Sequence, residues 1–476
     1  MSETPYRFGR GASRFATRNP ARPGRLAGDY GADDPASVQE AVARAARAFR
    51  DWRARPAAQR AERVAVWLDR LAQRAEEIAR AIVLEQGKPL GEARGEFAKA
   101  LAEARFMVSQ ALHQGSREVG AARQGTRNLV LRRARGVVAA LTPWNFPILT
   151  PLRKIVPSLV AGNTVVLKPS ELTPAAAWLA ADAAAGILPE GALEIVLGGR
   201  DAGEALIRAP GLCGVTFTGS VATGRAIGAI AGSNLLEQNL ELGGKNGVIV
   251  AASADPGSAA AQIAHAAFLC SGQRCTAISR AIVHVSHWNA FVAGMQAAIT
   301  AAKLGDGLDP TTTLGPLVSA SHRDRVAAMV DQASREGAQL IAGGGPARPQ
   351  GCEDGYFFQP TLLRAAPHMV CAREEIFGPV VTLLPYTEWD EALAILNGTD
   401  YGLAAALFSR DSAEVERFLN EAEAGMLFVN QGTVPDNHMP FVGTKVSGVG
   451  PGSVGPSALA FATTEHAVYL STGNIA

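Results

Sequence analysis

Cysteine is scarce in this chain. The five thiols (Cys213, Cys270, Cys275, Cys352 and Cys371) are odd in number and contain no C-x-x-C pair. That argues against a disulfide framework or a structural zinc site and favours a reducing compartment. Aromatic residues make up 6% and charged residues 19%, against 47% apolar, which describes a well-buried globular protein and not a disordered one. Neither sign of charge dominates. A formal net charge of +1 removes the electrostatic case for nucleic acid or an anionic membrane as partner. Long apolar runs are missing too: residues 175–188 are interrupted by Asp182 and read as a buried helix, not a membrane span. Arg7, Arg10, Arg14, Arg18, Arg22 and Arg25, with Glu3 as the only acid beside them, superficially suggest a transit peptide. No small-residue cleavage site or apolar segment follows, so the reading is a loosely held N-terminal arm and a cytoplasmic protein.

What is present is organised around two short stretches. One is Glu241-Leu242-Gly243-Gly244-Lys245-Asn246, a carboxylate followed at once by two glycines. The other is Ser271-Gly272-Gln273-Arg274-Cys275-Thr276, a thiol among polar neighbours that do not belong in an apolar core. Residues 258–269 between them are alanine-rich with helical periodicity. At 476 residues the chain exceeds one compact core, so two or three domains are expected.

Taken in order, residues 35–80 are helical, with Ser37 as a capping candidate, and Gly87-Lys88-Pro89 closes a pair of helices. Another helix is expected to about Gln114. Residues 126–133 alternate polar and apolar, as in a half-exposed strand of the kind that joins a neighbouring subunit's sheet. Buried strands follow at 136–141, 164–167, 192–196 and 214–218, with helices between. Strand–helix–strand repeats imply right-handed crossovers and a parallel sheet. Polar motifs follow several of these strands, where open α/β sheets bind ligands. Beyond Cys275, strands are expected at 281–285, 360–363, 379–383, 426–430 and 467–470, a helix at 288–302, and a glycine- and proline-rich tail at 448–460.

Each candidate residue has a plain and a chemical reading. Cys275 is a buried hydrophobe or a nucleophile, its thiol pKa depressed if the Arg274 head group comes close. Glu241 caps a strand, or it is a base that swings on the flexible glycines. Asn145 turns the chain beside Pro143 and Pro147, or it donates an amide to an oxyanion. Lys168 and Glu171 form a surface ion pair or bind a ribose. Phe217-Thr218-Gly219-Ser220 followed by Gly224 is not G-x-G-x-x-G, yet a glycine-serine turn opening a helix can cradle a pyrophosphate.

Together these motifs resemble one family. Pro143-Trp144-Asn145-Phe146-Pro147, Lys168-Pro169-Ser170-Glu171, Phe217-Thr218-Gly219-Ser220, the Glu241 and Cys275 stretches, and Glu374-Glu375-Ile376-Phe377-Gly378-Pro379 are similar, in order and spacing, to those of the aldehyde dehydrogenase superfamily. The resemblance runs from about Asn19 to Leu470. It implies an α/β fold with a Rossmann-like nucleotide-binding domain (1–114 and 136–243), an α/β catalytic domain (244–448) and a small β oligomerisation extension (115–135 and 449–476). It further implies oxidation of an aldehyde to the acid with NAD, or NADP as the alternative. Cys275 would be the nucleophile, Asn145 and the Cys275 N–H the oxyanion donors, and Glu241 the base that activates water; Lys168 joins them as a candidate catalytic residue. The cofactor would be held by Pro143, Trp144, Asn145, Lys168, Ser170, Glu171, Gly199, Phe217, Gly219, Ser220, Leu242, Glu375 and Phe377. Phe146, Arg153, Arg274, Thr276 and Phe441 would line the substrate side, and no metal is expected. A homodimer or homotetramer is the expected assembly.

Glu241 favours hydrolysis of the thioester over transfer to coenzyme A, since CoA-acylating relatives lack this base. Glu171 favours NAD, because a carboxylate beside the ribose repels a 2′-phosphate. Arg153 occupies a position where semialdehyde dehydrogenases clamp a distal carboxylate; bracing a helix is the equal alternative. The succinic semialdehyde branch carries a second arginine where this chain has Leu269. Overall the resemblance is nearest to the 2-oxoglutaric and succinic semialdehyde branch. Val442 and Pro451-Gly452-Ser453 depart from the usual C-terminal motif, and Pro435-Asp436-Asn437-His438 is expected to wall the substrate entrance. A cysteine hydrolase using His265 or His284, or a non-catalytic protein on the same fold, are the competing readings.

Overall fold

One parallel sheet ends at Glu241, and a second begins at Gly247 after residues 242–246. The computed structural model that shows this describes residues 5–9, 11–113 and 115–471. The first sheet runs in the order Gly448–Val449, Glu237–Glu241, Leu212–Thr218, Val137–Leu141, Thr164–Lys168, Leu193–Ile195. All its pairings are parallel except that of Gly448–Val449. From Val137–Leu141 the chain builds outward to Leu193–Ile195, then returns to add Leu212–Thr218 on the other side. The order therefore reverses beside Val137–Leu141, and both the Thr142–Pro147 turn and the Gly219-Ser220 turn leave the sheet at this switch point.

The second sheet contains, in order, Gln339–Ala342, Thr361–Arg364, Val380–Tyr386, Arg280–His284, Gly247–Val250, Ala404–Phe408 and Met426–Val429. Only the Gln339–Ala342 edge is antiparallel. Central strands such as Val137–Leu141, Gly247–Val250 and Ala404–Phe408 are buried along their whole length. Helices cover both faces, so these strands read as continuous apolar runs instead of alternating ones. Cys275 precedes the strand Arg280–His284, at its amino end, whereas Glu241 closes Glu237–Glu241 at its carboxyl end. The site therefore lies where the two sheets meet.

Three helices, not two, fill residues 35–86: Pro35–Ala54, Ala57–Ala72 and Ala75–Gln86. Asp34 is the cap of the first, its carboxylate accepting the Ser37 N–H at 2.8 Å; Ser37 is the residue capped. Trp52 and Trp67 are fully buried and donate their indole N–H groups to the carbonyls of Leu159 and Ala180, pinning these helices to Leu149–Ala161 and Ala175–Asp182. Leu90–Ser109 continues into a short 3-10 turn at Gln110–His113, and Gln114, the end expected from sequence, lies outside the described residues.

The N-terminal arm is not loosely held. Ser13–Asn19 and Arg22–Ala32 pair as antiparallel strands. The buried Thr17 hydroxyl and the Tyr30 hydroxyl both donate to Glu85. Paired backbone and a buried carboxylate anchor outweigh the arginine-rich composition; of the arginines named above, Arg10 lies outside the described residues. A third sheet joins Arg117–Val119, Thr126–Ala134 and Thr463–Ser471, the last two in register from Thr463–Ala134 to Ser471–Thr126. The tail at 448–460 is partly regular: the helix Gly455–Ala462 buries Ala458 and Leu459 in the same core as Leu152 and Ile155.

Candidate active site

Glycine and left-handed backbone shape the loop that carries Cys275. Cys270, Ser271 and Gly272 have φ of 56°, 55° and 70° in succession. A side chain at Gly272 would meet the Gly378 carbonyl, 2.1 Å from its Cβ. Two side chains in this region of φ are costly, ~1–2 kcal/mol each, and the loop is held by bonds from every side. The Cys270 N–H donates to Glu92 at 2.7 Å and the Ser271 hydroxyl to the Gly315 carbonyl at 2.7 Å. Gln273 ties the Cys270 and Pro316 carbonyls to the Val318 N–H. Asn246 then donates to the Cys275 and Ala277 carbonyls at 2.7 and 2.8 Å while accepting from the Ala404 N–H. Neither Gln273 nor Asn246 was a sequence candidate, although both stand inside the quoted motifs.

A cavity of about 590 Å³ contains Cys275, Glu241 and Asn145 together. Gly219, Ser220, Leu242, Glu375, Phe377, Arg153, Pro435 and Phe441 line it as well. Pro143, Trp144, Phe146, Arg274 and Thr276 complete the sequence-expected lining. Asn145 is buried; its side-chain amide donates one N–H to the Gln273 carbonyl at 2.8 Å, leaving the second, and its main-chain carbonyl accepts from Lys88 at 2.7 Å.

Glu241 is buried, one oxygen accepting from the Thr218 hydroxyl at 3.1 Å and the other, Oε1, without a hydrogen-bond partner among the described residues. An unpaired buried carboxylate oxygen is expensive, and a proton-bearing ligand in the cavity would relieve it. The glycines after Glu241 serve close packing and not left-handed backbone. A Cβ on Gly243 would sit 2.3 Å from the Glu375 carboxylate, and one on Gly244 2.7 Å from the Cys275 carbonyl. The Gly244 N–H meanwhile donates to Glu375 at 2.9 Å. The swinging hinge expected from sequence is a packed junction.

Burial pushes the Cys275 thiol up to about 11, against the pull of Arg153 and with Glu241 adding to the rise. Arg274 also pulls it down, the direction expected, but too weakly to win. Its guanidinium faces Thr276 and the Thr433 and Ala266 carbonyls, and its attraction loses to desolvation. Lys154, behind Glu241, donates to Thr216 at 3.0 Å. Burial draws it down to about 8, with Glu241 opposing.

Other expected residues fall elsewhere. Phe217 is buried in the core facing Gly219, where a Cβ would sit 2.3 Å from its ring. Alternation along Leu212–Thr218 gives Thr216 and Thr218 to the site side and turns Phe217 away, so its expected cofactor contact is corrected. Lys168 is buried at the end of its own strand and donates to the Pro169 and Gly198 carbonyls at 2.9 and 2.7 Å. It does not line the Cys275 cavity, which removes it from the chemical step. Ser170 caps the turn to Leu172, Glu171 is half exposed, and Gly199 caps Arg200–Arg208 with open space beside it. These four stand at strand ends beyond the cavity.

Arg153 braces the helix Leu90–Ser109. Its guanidinium forms a two-point pair with the buried Glu103 at 2.9 and 2.8 Å and lies over the Phe441 ring. His265 and His284 do not line the cavity. His322 does, but it bonds to the Phe377 carbonyl between the Trp144 and Phe377 rings, and burial holds it near 4, hence neutral. No histidine among the described residues pairs with Cys275, which removes the basis for the hydrolase reading.

The aldehyde dehydrogenase family model matches residues 8–468. The chain belongs to the aldehyde dehydrogenase family. It is 38% identical over 459 residues to the alpha-ketoglutarate semialdehyde dehydrogenase of Haloferax volcanii, covering 95% of each chain. It is 37% identical over 445 residues to the succinate-semialdehyde dehydrogenase [NADP(+)] of Mycolicibacterium paratuberculosis, covering 92% of each. Among solved structures, PnpE in complex with nicotinamide adenine dinucleotide superposes with a TM-score of 0.95 at 33% identity, covering 100% of this chain and 98% of that one. This chain is an NAD(P)-dependent aldehyde dehydrogenase that oxidises aldehydes to acids.

The residues present fit that cofactor. Ser220 caps Val221–Ser233 at the cavity wall, which aims free backbone N–H groups and the positive helix end at an anion. Gly199 leaves open space at a second helix start. Glu375 and Phe377, the latter at φ 58°, line the same cavity as Ser220 and Cys275.

Proposed function

We propose that Cys275, Asn145 and Glu241 perform the oxidation as nucleophile, oxyanion donor and hydrolytic base. The observation that carries this is the one cavity lined by Cys275, Asn145 and Glu241, in which Asn145 keeps an uncommitted N–H and Glu241 a buried oxygen with no partner among the described residues. Cys275 releases its thiol proton to water as its sulfur adds to the aldehyde carbon, forming a thiohemiacetal oxyanion that receives the Asn145 amide and the Cys275 N–H. When bound, NAD(P) supplies the hydride acceptor. Loss of hydride leaves a thioester on Cys275. Glu241 takes a proton from water, the water oxygen attacks the thioester carbon, and the acid departs as the thiol is restored.

Adenine-side ribose contacts belong to Lys168, Ser170 and Glu171, with Ser220 at the pyrophosphate. Glu171 gives the preference for NAD, through its exposed carboxylate beside Lys168. The substrate is a semialdehyde with a distal carboxylate, a reading supported by the relatives named above and by the partly exposed cation Lys99 in the cavity wall. A dimer or tetramer forms through the third sheet, whose last strand exposes Tyr469 and Leu470. The free thiols suit the cytoplasm. Absorbance of reduced cofactor with a panel of aldehydes tests the reading: turnover is lost in Cys275→Ala. Full turnover in that variant would overturn it.

A further inference from the structure

Arg153 is the expected reader of a distal carboxylate, but its charge is already answered. Glu103 accepts from both Nε and Nη2, and both side chains are buried, at 7% and 2% exposure. A carboxylate arriving there would compete with one in place, and Glu103 would repel it. Lys99 is different. It lines the same cavity, keeps 23% of its side chain exposed, and holds Glu103 only at 3.6 Å. Its ammonium bonds to the carbonyl of Pro435, which lines the cavity too. With three N–H donors, Lys99 keeps capacity for an anion, and the Lys99–Arg153–Glu103 cluster carries one positive charge in excess.

The helix that bears Lys99 also leaves a path to it. Gly91, Gly95, Lys99 and Glu103 recur every four residues, a spacing that stacks them along one face. Gly91 and Gly95 line the cavity, and a Cβ on either would meet nothing. Glycine inside a helix costs ~1 kcal/mol relative to alanine, and no packing contact requires it at these two positions. What the glycines provide is room, over a rise of about 12 Å from Gly91 to Lys99. Burial lowers the Lys99 pKa, with Glu103 opposing; an arriving carboxylate would restore it.

We propose that Lys99, and not Arg153, receives the distal carboxylate of an ω-carboxy aldehyde lying along the Gly91–Gly95 face. The proposal rests on the oxidation argued above and names the residue that selects its substrate class. Steady-state kinetics with an ω-carboxy aldehyde and the uncharged aldehyde of equal length test it in the full-length enzyme. In Lys99→Met, the ratio of the two kcat/KM values is expected to fall ~10–100-fold, mainly through KM of the charged substrate. Lys99→Arg restores most of the ratio, and Lys99→Glu lowers it further. The double replacement Glu103→Leu with Arg153→Leu removes the neutral pair whole and leaves the ratio within about threefold. An unchanged ratio in Lys99→Met overturns the proposal, as does an equal loss for both aldehydes, which would make Lys99 only a tie to the Pro435 loop. A ratio lost in the double variant alone returns the role to Arg153. Failure of the native enzyme to reduce NAD(P) with either aldehyde would instead sink the oxidation reading.

Discussion

Replacing Glu241 by glutamine keeps the length of the side chain and an oxygen for the Thr218 hydroxyl, and removes the charge and the proton-accepting oxygen. Two measurements should then move in opposite directions. Burial sets the Cys275 thiol at about 11; Arg153 pulls it down and Glu241 pushes it up. A thiol of that pKa is thiolate in roughly one molecule in 10⁴ at pH 7, about two orders of magnitude below an ordinary cysteine. Taking away the Glu241 charge raises the thiolate fraction, so iodoacetamide alkylates Cys275 faster in Glu241→Gln than in the native enzyme. Turnover goes the other way, since a positioned base is worth ~10²–10⁴ in rate, or about 3–5 kcal/mol of barrier.

Stopped-flow absorbance distinguishes the steps. Native enzyme gives steady cofactor reduction, whereas Glu241→Gln gives one rapid equivalent per site and then a slow phase, with acyl-Cys275 visible by intact mass. Such a burst locates the lost base after hydride transfer, where water attacks the thioester. Slower alkylation together with no burst would show instead that Glu241 acts on the thiol before oxidation, and would refute the hydrolytic assignment.

Asn145→Ala should lower kcat by ~10²–10³ with a smaller change in KM, because the missing N–H is needed only as the oxyanion develops; steady-state kinetics with any good aldehyde substrate check it. Glu171→Gln should raise kcat/KM for NADP relative to NAD by roughly 5–10-fold through removal of one repulsive charge, read from the ratio of the two cofactors. Lys245 is buried, its Nζ without a hydrogen-bond partner among the described residues, and burial draws it down to about 7. Between that value and the unfolded value near 10.5 the unfolded chain binds a proton that the folded chain lacks, so this lysine makes stability rise with pH across the window, by up to about 1.4 kcal/mol per unit. Lys245→Met should flatten the rise in urea-unfolding midpoint between pH 7 and 9; an equal slope in both proteins would exclude the neutral amine.

The two sheets were legible because buried parallel strands are written as short apolar runs between helices, and because the polar motifs fall where those runs stop. Thr142–Pro147 and Gly219-Ser220 could be placed at strand ends from sequence alone, and the order of strands then brings both to the switch point. Side-chain facing was less legible. Phe217 reads as part of a cofactor motif, yet the period-two alternation of its strand turns it into the core and gives Thr216 and Thr218 to the site. Arg153 could be placed beside the substrate but not paired, because its partner Glu103 is a full 50 residues away in sequence. The N-terminal strands were hidden for the same reason: Glu85, which receives Thr17 and Tyr30, carries no mark in the sequence of being buried.

Those misreadings share a cause with what makes the site work. The proposed chemistry needs a thiol and a carboxylate that line one cavity, so that each can act in turn on the same substrate carbon. Their separation is fixed through the backbone of residues 242–246. Gly243 admits the Glu375 carboxylate, Gly244 admits the Cys275 carbonyl, and Asn246 ties that carbonyl to the second sheet. A Cβ at either glycine would force the base and the nucleophile apart by displacing backbone or a buried carboxylate, a shift of the size that costs ~10²-fold in rate. Gly244→Ala therefore attacks the distance between two catalytic groups without touching either one. It should lower kcat while leaving Glu241 and Cys275 chemically intact, with alkylation of the thiol still proceeding; native kcat in that variant would show that the loop can absorb the clash and that the junction is not what sets the geometry.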